Sequence, residues 1–437
     1  MKKWLAGAMG IVLTGTLLSG CGGNAQEEAA SGGNAAETEA ASTGNAAKEP
    51  VTIKFMHWSD TASESMYADL VAAFEAHNPD VNVELVKSDI KTYSEKLTIT
   101  LTGSSDVDAF AFKDLKEYYR LASIGRVVQL DDQAAGAGDA LNGVSHLFDT
   151  LKIDGKLYGL PFRNDGWALF YNKNLFDAAG VAYPKDDMTW EAYVALAKQL
   201  TQGEGQGKTW GSFMPDWSQT WYGYGQQLGK TLFDEDLAPY LRGLELRKEL
   251  TDSGAQPTVA ENQATNAHYR PVFLAGKTAM VNTGTWFPGM LEQDKKDGKL
   301  SFDWGMTYVP HPEGVAKGTS MSTAVVHSVS ATSKHKEEAF KWLSFISGDE
   351  GQTIVAKYQT PASKADGVKQ AFESNFSEGI DMAPIFNMTP VPERNLQAGL
   401  PELETIVTEE GNRALLGEIT PDEAIASIAD RRSKELP

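Results

Sequence analysis

The sequence between residues 154 and 200 contains more local structural signals than any other stretch of the chain. A tight turn at Asp154 is followed by a short extended run, and Pro161 fixes φ and removes a backbone donor where that run is expected to leave its sheet. Residues 167–171 are apolar and predict a strand buried on both faces. A short helix then closes at Gly180. The stretch predicts a new α/β layer, with a change of chain direction near Pro161.

A second helix follows in the same stretch. Thr189 is suited to cap its start, Glu191 lies in its first turn, and apolar side chains recur at helical spacing as far as Leu200. The segments DGKLYGLP, LFYNKNLFDAAG and TWEAYVALAKQL therefore follow each other in a fixed order of strand, turn and helix signals.

These segments resemble the middle of the extracellular solute-binding proteins of family 1, the maltose-binding-protein-like lipoproteins that serve ABC importers of sugars. In residues 273–286, FLAGKTAM followed by GTW resembles a further motif of that family, and similar segments recur from residue 51 to the end. Residues 364–400 match least. Any strand-turn-helix unit of an α/β enzyme would explain the periodicity, but it would not explain the order of these segments.

The resemblance implies an α/β fold of periplasmic-binding-protein type II, in which two lobes joined by a three-segment hinge enclose a ligand cleft. The chain after residue 50 is also too long for a single core. We expect the hinge crossings near Phe162, Pro312 and Gly348, and one continuous sheet would contradict this arrangement. The expected boundaries are residues 51–162 with 313–348 for lobe 1 and residues 163–312 with 349–437 for lobe 2.

The N-terminus resembles that of a bacterial lipoprotein. Lys2 and Lys3 precede an apolar segment that is too short to span a membrane stably, and the sequence LSGC ends at Cys21, the only cysteine. The resemblance implies removal of residues 1–20 as a signal peptide and lipid attachment, such as palmitate, to Cys21. An ordinary secretory signal followed by a chance cysteine is the alternative. Residues 22–50 are rich in Gly, Ala and Asn and predict a flexible tether that continues from Cys21.

The charge balance limits the partners. The chain has 39 basic and 59 acidic residues, a formal net charge of −20, which makes nucleic acid an unlikely partner. The family resemblance implies a sugar ligand, ABC permease subunits in the membrane, a monomeric state and a lipid-anchored position on the extracytoplasmic face of the cell membrane. No cofactor and no metal are expected.

Candidate ligand contacts are residues that follow predicted strands or lie in loop signals, because ligands of α/β folds bind beyond the carboxyl ends of strands. An indole plane beside carboxylates suits a sugar, whose ring has C–H groups on its faces and hydroxyls at its edge. The candidates are Trp58, Ser59, Asp60, Lys113, Asp114, Arg163, Asp165, Asp216, Trp217, Trp221 and Trp286.

An enzyme on carbohydrate is the main alternative function. A secreted glycosidase or lyase, anchored as a lipoprotein, would also need aromatic platforms and paired carboxylates such as Asp131-Asp132 or Asp186-Asp187. Adjacent side chains on a strand point to opposite faces, so neither pair is suited to converge on one bond. HExxH, P-loop and GxSxG motifs are absent from the sequence. A third alternative, an adhesin or structural lipoprotein, leaves the segment order unexplained. We therefore expect a binding protein that is not an enzyme.

Overall fold

The computed structural model describes residues 50–59, 61–103 and 106–436. The predicted signal peptide, Cys21, the tether and Asp60 lie outside these residues. The described strands are β1 Val51–Ser59, β2 Val81–Asp89, β3 Ala109–Phe112, β4 Leu160–Asn172, β5 Trp210–Phe213, β6 Thr278–Gly284, β7 Trp304–Tyr308, β8 Thr319–Val329 and β9 Thr389–Pro392.

The helices of the first half alternate with these strands. They are α1 Thr61–His77, α2 Tyr93–Thr102, α3 Leu115–Ser123, α4 Asp131–Ala137, α5 Phe148–Leu151, α6 Lys173–Ala179, α7 Trp190–Leu200, α8 Gln219–Gln227 and α9 Ala238–Asp252.

The later helices cluster towards the C-terminus. They are α10 Val259–Thr265, α11 Tyr269–Leu274, α12 Phe287–Lys296, α13 Lys336–Ser347, α14 Asp349–Ala356, α15 Asp366–Glu373, α16 Ala383–Phe386, α17 Leu400–Leu415 and α18 Pro421–Glu435.

Several helices begin where the sequence predicts a cap. The Thr189 hydroxyl accepts a hydrogen bond from the backbone N–H of Ala192 at the start of α7, and Gly180 ends α6 in the left-handed region. Thr420 and Glu423 form a reciprocal capping box at α18. The predicted caps at Thr189 and Gly180 are confirmed, because each depends on residues within one turn of its own helix.

The strands form one hydrogen-bonded path in the order β2-β1-β3-β8-β4-β6-β5, with β7 beside β4 and β9 beside β8. Strand β4 connects the two halves of this path. Its residues 160–166 pair with β8, whereas residues 167–172 pair with β6 and β7. One long strand is therefore shared by the two halves of the molecule.

Two expectations about this region are wrong. The chain does not leave its sheet at Pro161, because β4 continues through it with a register shift between Pro161 and Arg163, where a missing N–H is tolerated. The expectation that two lobes exclude one continuous sheet also fails, because β4 exchanges its partners at Gly166 and Trp167 without interrupting the path.

Three clusters of buried apolar side chains lie around this path. Cluster 1 is drawn from residues 53–162 and 324–362. Cluster 2 is drawn from residues 167–321 and 403–428, and cluster 3 from residues 168–306 and 356–385. The core thus divides near the point where β4 changes partners. The lobe boundaries given above remain a prediction.

His327 of β8 lies at this division. Its ring stacks on Phe162 with 4.1 Å between centroids, and its Nε2 lies 2.9 Å from the Tyr67 hydroxyl. The side chain is fully buried, and desolvation, together with the neighbouring His57, holds the pKa of His327 well below its usual range. His327 is therefore neutral in the folded protein at neutral pH.

We expect His327 to make folding sensitive to mild acid. Its pKa is lower in the folded than in the unfolded chain, so its contribution is present above the unfolded pKa of about 6.5 and is lost as pH falls below it, by up to about 1.4 kcal/mol per pH unit. Urea unfolding at pH 7.5 and 5.5 should give a smaller pH effect for His327→Gln than for the parent. His77→Gln, at an exposed histidine at the end of α1, is the control. Equal pH effects in all three proteins would contradict this assignment.

Candidate functional site

Four aromatic rings from separate segments form one group, which we name the aromatic group: Trp167, Trp217, Tyr269 and Trp286. The ring centroid of Trp217 lies 6.1 Å from that of Trp167, 6.1 Å from that of Trp286 and 5.8 Å from that of Tyr269. Trp167 and Trp286 are 6.4 Å apart. Trp217 is 37% exposed and Trp286 is half-buried. The group therefore presents indole surface to solvent over a buried base.

Gly284, at the point where β4 changes its pairing partner, allows Trp286 to lie close to Trp167. Trp167 pairs with Gly284 across β4 and β6. A Cβ on Gly284 would lie 2.0 Å from the ring of Trp286, so only glycine allows this indole to cover the end of β6. Trp286 Nε1 donates to the Tyr269 hydroxyl at 2.9 Å, which fixes both rings.

A polar pair lies beside the aromatic group on the same face of β4. Arg163, Asp165 and Trp167 alternate along the strand, so their side chains share one face. Arg163 Nε is 2.6 Å from Asp165 Oδ2, and Arg163 also donates to the side-chain oxygen of Gln359. Gln359 in turn lies near Ser63 of α1, with 3.5 Å between Nε2 and Oγ. These contacts connect the centre of β4 to the start of α1.

Asp165 is a buried carboxylate with few donors. It is 1% exposed, and among the residues that the structure describes neither oxygen accepts a well-aligned hydrogen bond, although Arg163 is close. Burial raises the pKa of Asp165, while the charge of Arg163 acts in the opposite direction. The carboxylate therefore retains acceptor capacity next to the indoles.

A second polar group contacts the indole of Trp167. Glu393 follows β9 and is 4% exposed. Its Oε2 accepts from Trp167 Nε1 at 3.3 Å, and its Oε1 accepts from Gln219 Nε2 at 3.1 Å and from Arg394. Arg394 also pairs with Glu404 of α17. Glu393 thus joins β4, α8 and the C-terminal helices.

Asp216 and Trp221, two of the candidate ligand contacts, have different roles. Asp216 Oδ1 accepts from Asn262 at 3.0 Å and lies 3.5 Å from the buried guanidinium of Arg247, so Asp216 anchors the loop that carries Trp217. Trp221 is 2% exposed and packs in cluster 2 on the backbone of Gly411. The inclusion of Trp221 among the ligand candidates is therefore corrected, because its position on α8 faces the core.

The candidates of the first lobe have local partners. Trp58 is buried in cluster 1 with its ring edge-to-face to Tyr93, and the Ser59 hydroxyl donates to Glu64. Lys113 Nζ donates to the backbone oxygen of Ile90. Asp114 caps α3 by accepting from the N–H of Glu117 at 2.8 Å. None of these four is joined to the aromatic group by a contact described for the chain, and their role in ligand binding remains a prediction.

Sequence reasoning did not select Trp167, Tyr269, Gln359 or Glu393. Trp167 begins an apolar strand pattern. Such a pattern predicts that its side chains are buried, but it does not show which of them lies beside a binding site. Tyr269 and Glu393 have no strand or motif signal at all. One signal was available for Trp167, because it is the first apolar residue after the polar Arg163–Gly166 segment.

The opposite face of β4 carries a different surface. Asn164 points there and lines a shallow cleft together with Pro361, Phe386 and Met388. Within the described residues, no set of three or more His, Cys, Asp or Glu side chains is arranged to hold a metal ion. Of the helices described, none is both long and apolar enough to cross a bilayer.

Residues 58–353 match the family described as bacterial extracellular solute-binding protein, and the chain belongs to that family. The chain is 24% identical to the mannitol-binding protein of Pseudomonas aeruginosa, over 84% of this chain and 89% of that protein. It is also 24% identical to a maltooligosaccharide ABC transporter solute-binding lipoprotein of Streptococcus pneumoniae, over 79% of this chain and 76% of the relative. The family predicted from the sequence is thereby confirmed.

Solved structures confirm the predicted two-lobed fold. A sugar transporter from Rhizobium etli in an open conformation superposes with a TM-score of 0.77 at 30% identity, covering 87% of this chain and 98% of that one. An ABC substrate-binding protein from Listeria monocytogenes in complex with cycloalternan gives 0.76 at 26% identity, covering 88% and 99%.

The contrast between Trp217 and Trp221 gives a stability prediction. Trp221→Ala should lower the free energy of unfolding by about 3–5 kcal/mol, because it leaves a cavity in cluster 2. Trp217→Ala should cost clearly less, since the ring is partly exposed. Urea unfolding of both variants measures the difference. Equal losses would mean that Trp217 is also a core residue.

Proposed function

We propose that this chain captures a sugar or oligosaccharide outside the cell, in a cleft between its two lobes, and delivers it to the permease subunits of an ABC importer. The aromatic group beside Arg163 and Asp165 carries this proposal. Family membership supports the transport role, and relatives named for binding mannitol and maltooligosaccharide support a sugar as the ligand.

The chemistry of the site suits a polyhydroxylated ring. Trp217 and Trp286 offer flat apolar surfaces against which the C–H face of a sugar can pack. Asp165 accepts hydrogen bonds from hydroxyls, and Arg163 donates to them, at the edge of the same surface. A few polar groups set among aromatic walls are the usual composition of a small-molecule site.

The same residues connect the site to lobe closure. Arg163 lies on the strand shared by both halves and contacts Gln359, which lies near Ser63 at the start of α1. A ligand that engages Arg163 would therefore touch the hinge and both lobes together. Hinge closure around a bound solute follows when the closed state offers more contacts to that solute. We retain the lobe boundaries given above, with Ser59, Lys113 and Asp114 as contacts that the closed state would bring to the ligand.

We also propose that the protein binds its sugar without turnover. Three of the four adjacent acids that a glycosidase could use have structural partners: Asp131 accepts from the N–H of Leu157, Asp186 pairs with Lys317, and Asp187 lies 2.9 Å from His311. Asp165 lies on β4 with Arg163 as its ion-pair partner. A catalytic acid and nucleophile would need two carboxylates on either side of one bond.

Sugar binding should depend on the exposed indoles. In a thermal-shift screen over a panel of sugars, a true ligand should raise the melting temperature of the parent by mass action and change its tryptophan fluorescence. Trp286→Ala and Trp217→Ala should each weaken binding of that ligand by about 1–3 kcal/mol, by analogy with bases stacked on aromatic side chains. Titration calorimetry measures the loss.

Tyr183→Ala is the matched control, because Tyr183 is an exposed aromatic residue outside the aromatic group. It should bind the sugar like the parent. Normal binding by Trp286→Ala would remove the aromatic group as the ligand site. New reducing ends on incubation with oligosaccharides, abolished by a single carboxylate substitution, would support the enzyme alternative instead.

Anchoring through Cys21 is a separate proposal. Relatives named as solute-binding lipoproteins and the sequence LSGC support it. Cys21→Ser should release the protein into the medium in the native host, with sugar affinity unchanged, because the lipid would join the folded body only through residues 22–50. Fractionation followed by immunoblotting measures the distribution. Variant protein that stays with membranes after a salt wash would contradict lipidation at Cys21.

A further inference from the structure

We propose that Glu393 is a positioning residue of the sugar site, which fixes the orientation of two of its indoles. This proposal rests on the proposed function for its effect on affinity. Glu393 lies outside residues 58–353, so the family match does not cover it. Its place in the molecule is determined by contacts to three segments that are distant in sequence.

The backbone of Glu393 is held from two sides. Its N–H donates to the carbonyl of Ser322 on β8 at 3.1 Å, and its carbonyl accepts from Gln226 Nε2 at 3.0 Å. Ser322 is opposite Gly166, next to Trp167 on β4. The start of the Glu393 side chain is therefore fixed relative to the point where β4 changes partners.

Each oxygen of the Glu393 carboxylate accepts a hydrogen bond from a different side chain of the site. Oε2 accepts from Trp167 Nε1, and Oε1 accepts from Gln219 Nε2. A buried indole N–H needs an acceptor. Because the Trp167 N–H must point at Glu393, this contact fixes the orientation of the Trp167 ring. The plane of Trp167 stands at 83° to that of Trp217, so its tilt defines one wall of the surface on which a ring would lie.

Gln219 connects Glu393 to the loop that carries Trp217. Gln219 and Gln226 are seven residues apart and share one face of α8, and both donate to Glu393. Trp217 precedes this helix, and its carbonyl accepts from the N–H and hydroxyl of Thr220 in the first turn. A single residue therefore holds α8 at two points, two turns apart, and with it the loop that carries Trp217.

A control variant is available at Glu404, the second carboxylate that accepts from Arg394. Arg394 donates to both Glu393 and Glu404, and Glu404 is largely buried on α17 without a described hydrogen bond to Trp167 or Gln219. Glu404→Gln removes a carboxylate from the same arginine and leaves the indole acceptor in place. Glu393→Gln keeps one oxygen for Trp167, and Gln219 can rotate its amide to accept from the new NH₂ group, but Arg394 then loses the acceptor that Oε1 provides in the parent.

The test measures affinity for the sugar found by the screen above in four single variants and one double variant. Glu393→Ala should weaken binding about tenfold or more, since a buried N–H loses its acceptor and the indoles lose their fixed orientation. Glu393→Gln should recover part of this loss, because it keeps an acceptor for Trp167 but not for Arg394, and Glu404→Gln should bind within about twofold of the parent. In Trp167→Phe, which has no indole N–H, adding Glu393→Ala should weaken binding less than in the parent, as expected for coupled residues.

The orientation of the indole is also measured without any sugar. The Nε1–H resonance of Trp167 is the one missing from the NMR spectrum of Trp167→Phe. It should shift, and exchange faster with solvent, in Glu393→Ala but not in Glu404→Gln. If the parent binds no sugar of the panel, the proposed function fails while this measurement still decides the positioning role.

Two results would overturn the proposal. One is an unchanged Trp167 resonance and unchanged affinity in Glu393→Ala. The other is an equal loss of affinity in Glu393→Ala and Glu404→Gln, which would assign the effect to the ion pairs of Arg394 and the stability of α17. A lower melting temperature alone, equal in both variants, would not support positioning.

Discussion

The structure depends on one strand that changes hydrogen-bonding partners along its length. β4 pairs with β8 as far as Gly166 and with β6 and β7 from Trp167 onward. Because alternate side chains of a strand share a face, this arrangement puts Arg163, Asp165 and Trp167 in a row across the division of the core. Phe162, which precedes this row, belongs to cluster 1, and Trp167, which ends it, belongs to cluster 2. The candidate site is thus a direct consequence of the strand pairing.

The contacts around this row explain how the same residues can form a binding site and lie at a hinge. Arg163 contacts Gln359, Trp167 contacts Glu393, and Trp167 pairs with Gly284, whose backbone lies under Trp286. Each contact joins β4 to a segment more than a hundred residues away in the sequence. Ligand contacts at this place would therefore bias the relative position of several segments at once, which is how a bound solute stabilises a closed state.

Predictions that rest on neighbouring residues agree with the structure. The caps at Thr189 and Gly180 are confirmed, because their signals lie within a turn or two of chain. The prediction at Pro161 is wrong for the complementary reason. A proline disfavours a central strand by itself, but here the register shift at Pro161 and pairing with the remote β8 keep the strand continuous.

The sequence by itself determined the family, the α/β class, the helices that end at Gly180 and begin after Thr189, and two rings of the aromatic group, Trp217 and Trp286, since motif order and periodicity are written along the chain. Only the tertiary structure decided that Trp221 is core, that Trp167 and Tyr269 complete the group, and that Glu393 contacts an indole 226 positions earlier. Which face of a helix or strand is buried, and which distant side chain meets it, depends on packing between segments. Local sequence does not encode that packing, because the same residue types suit both a core and a binding surface.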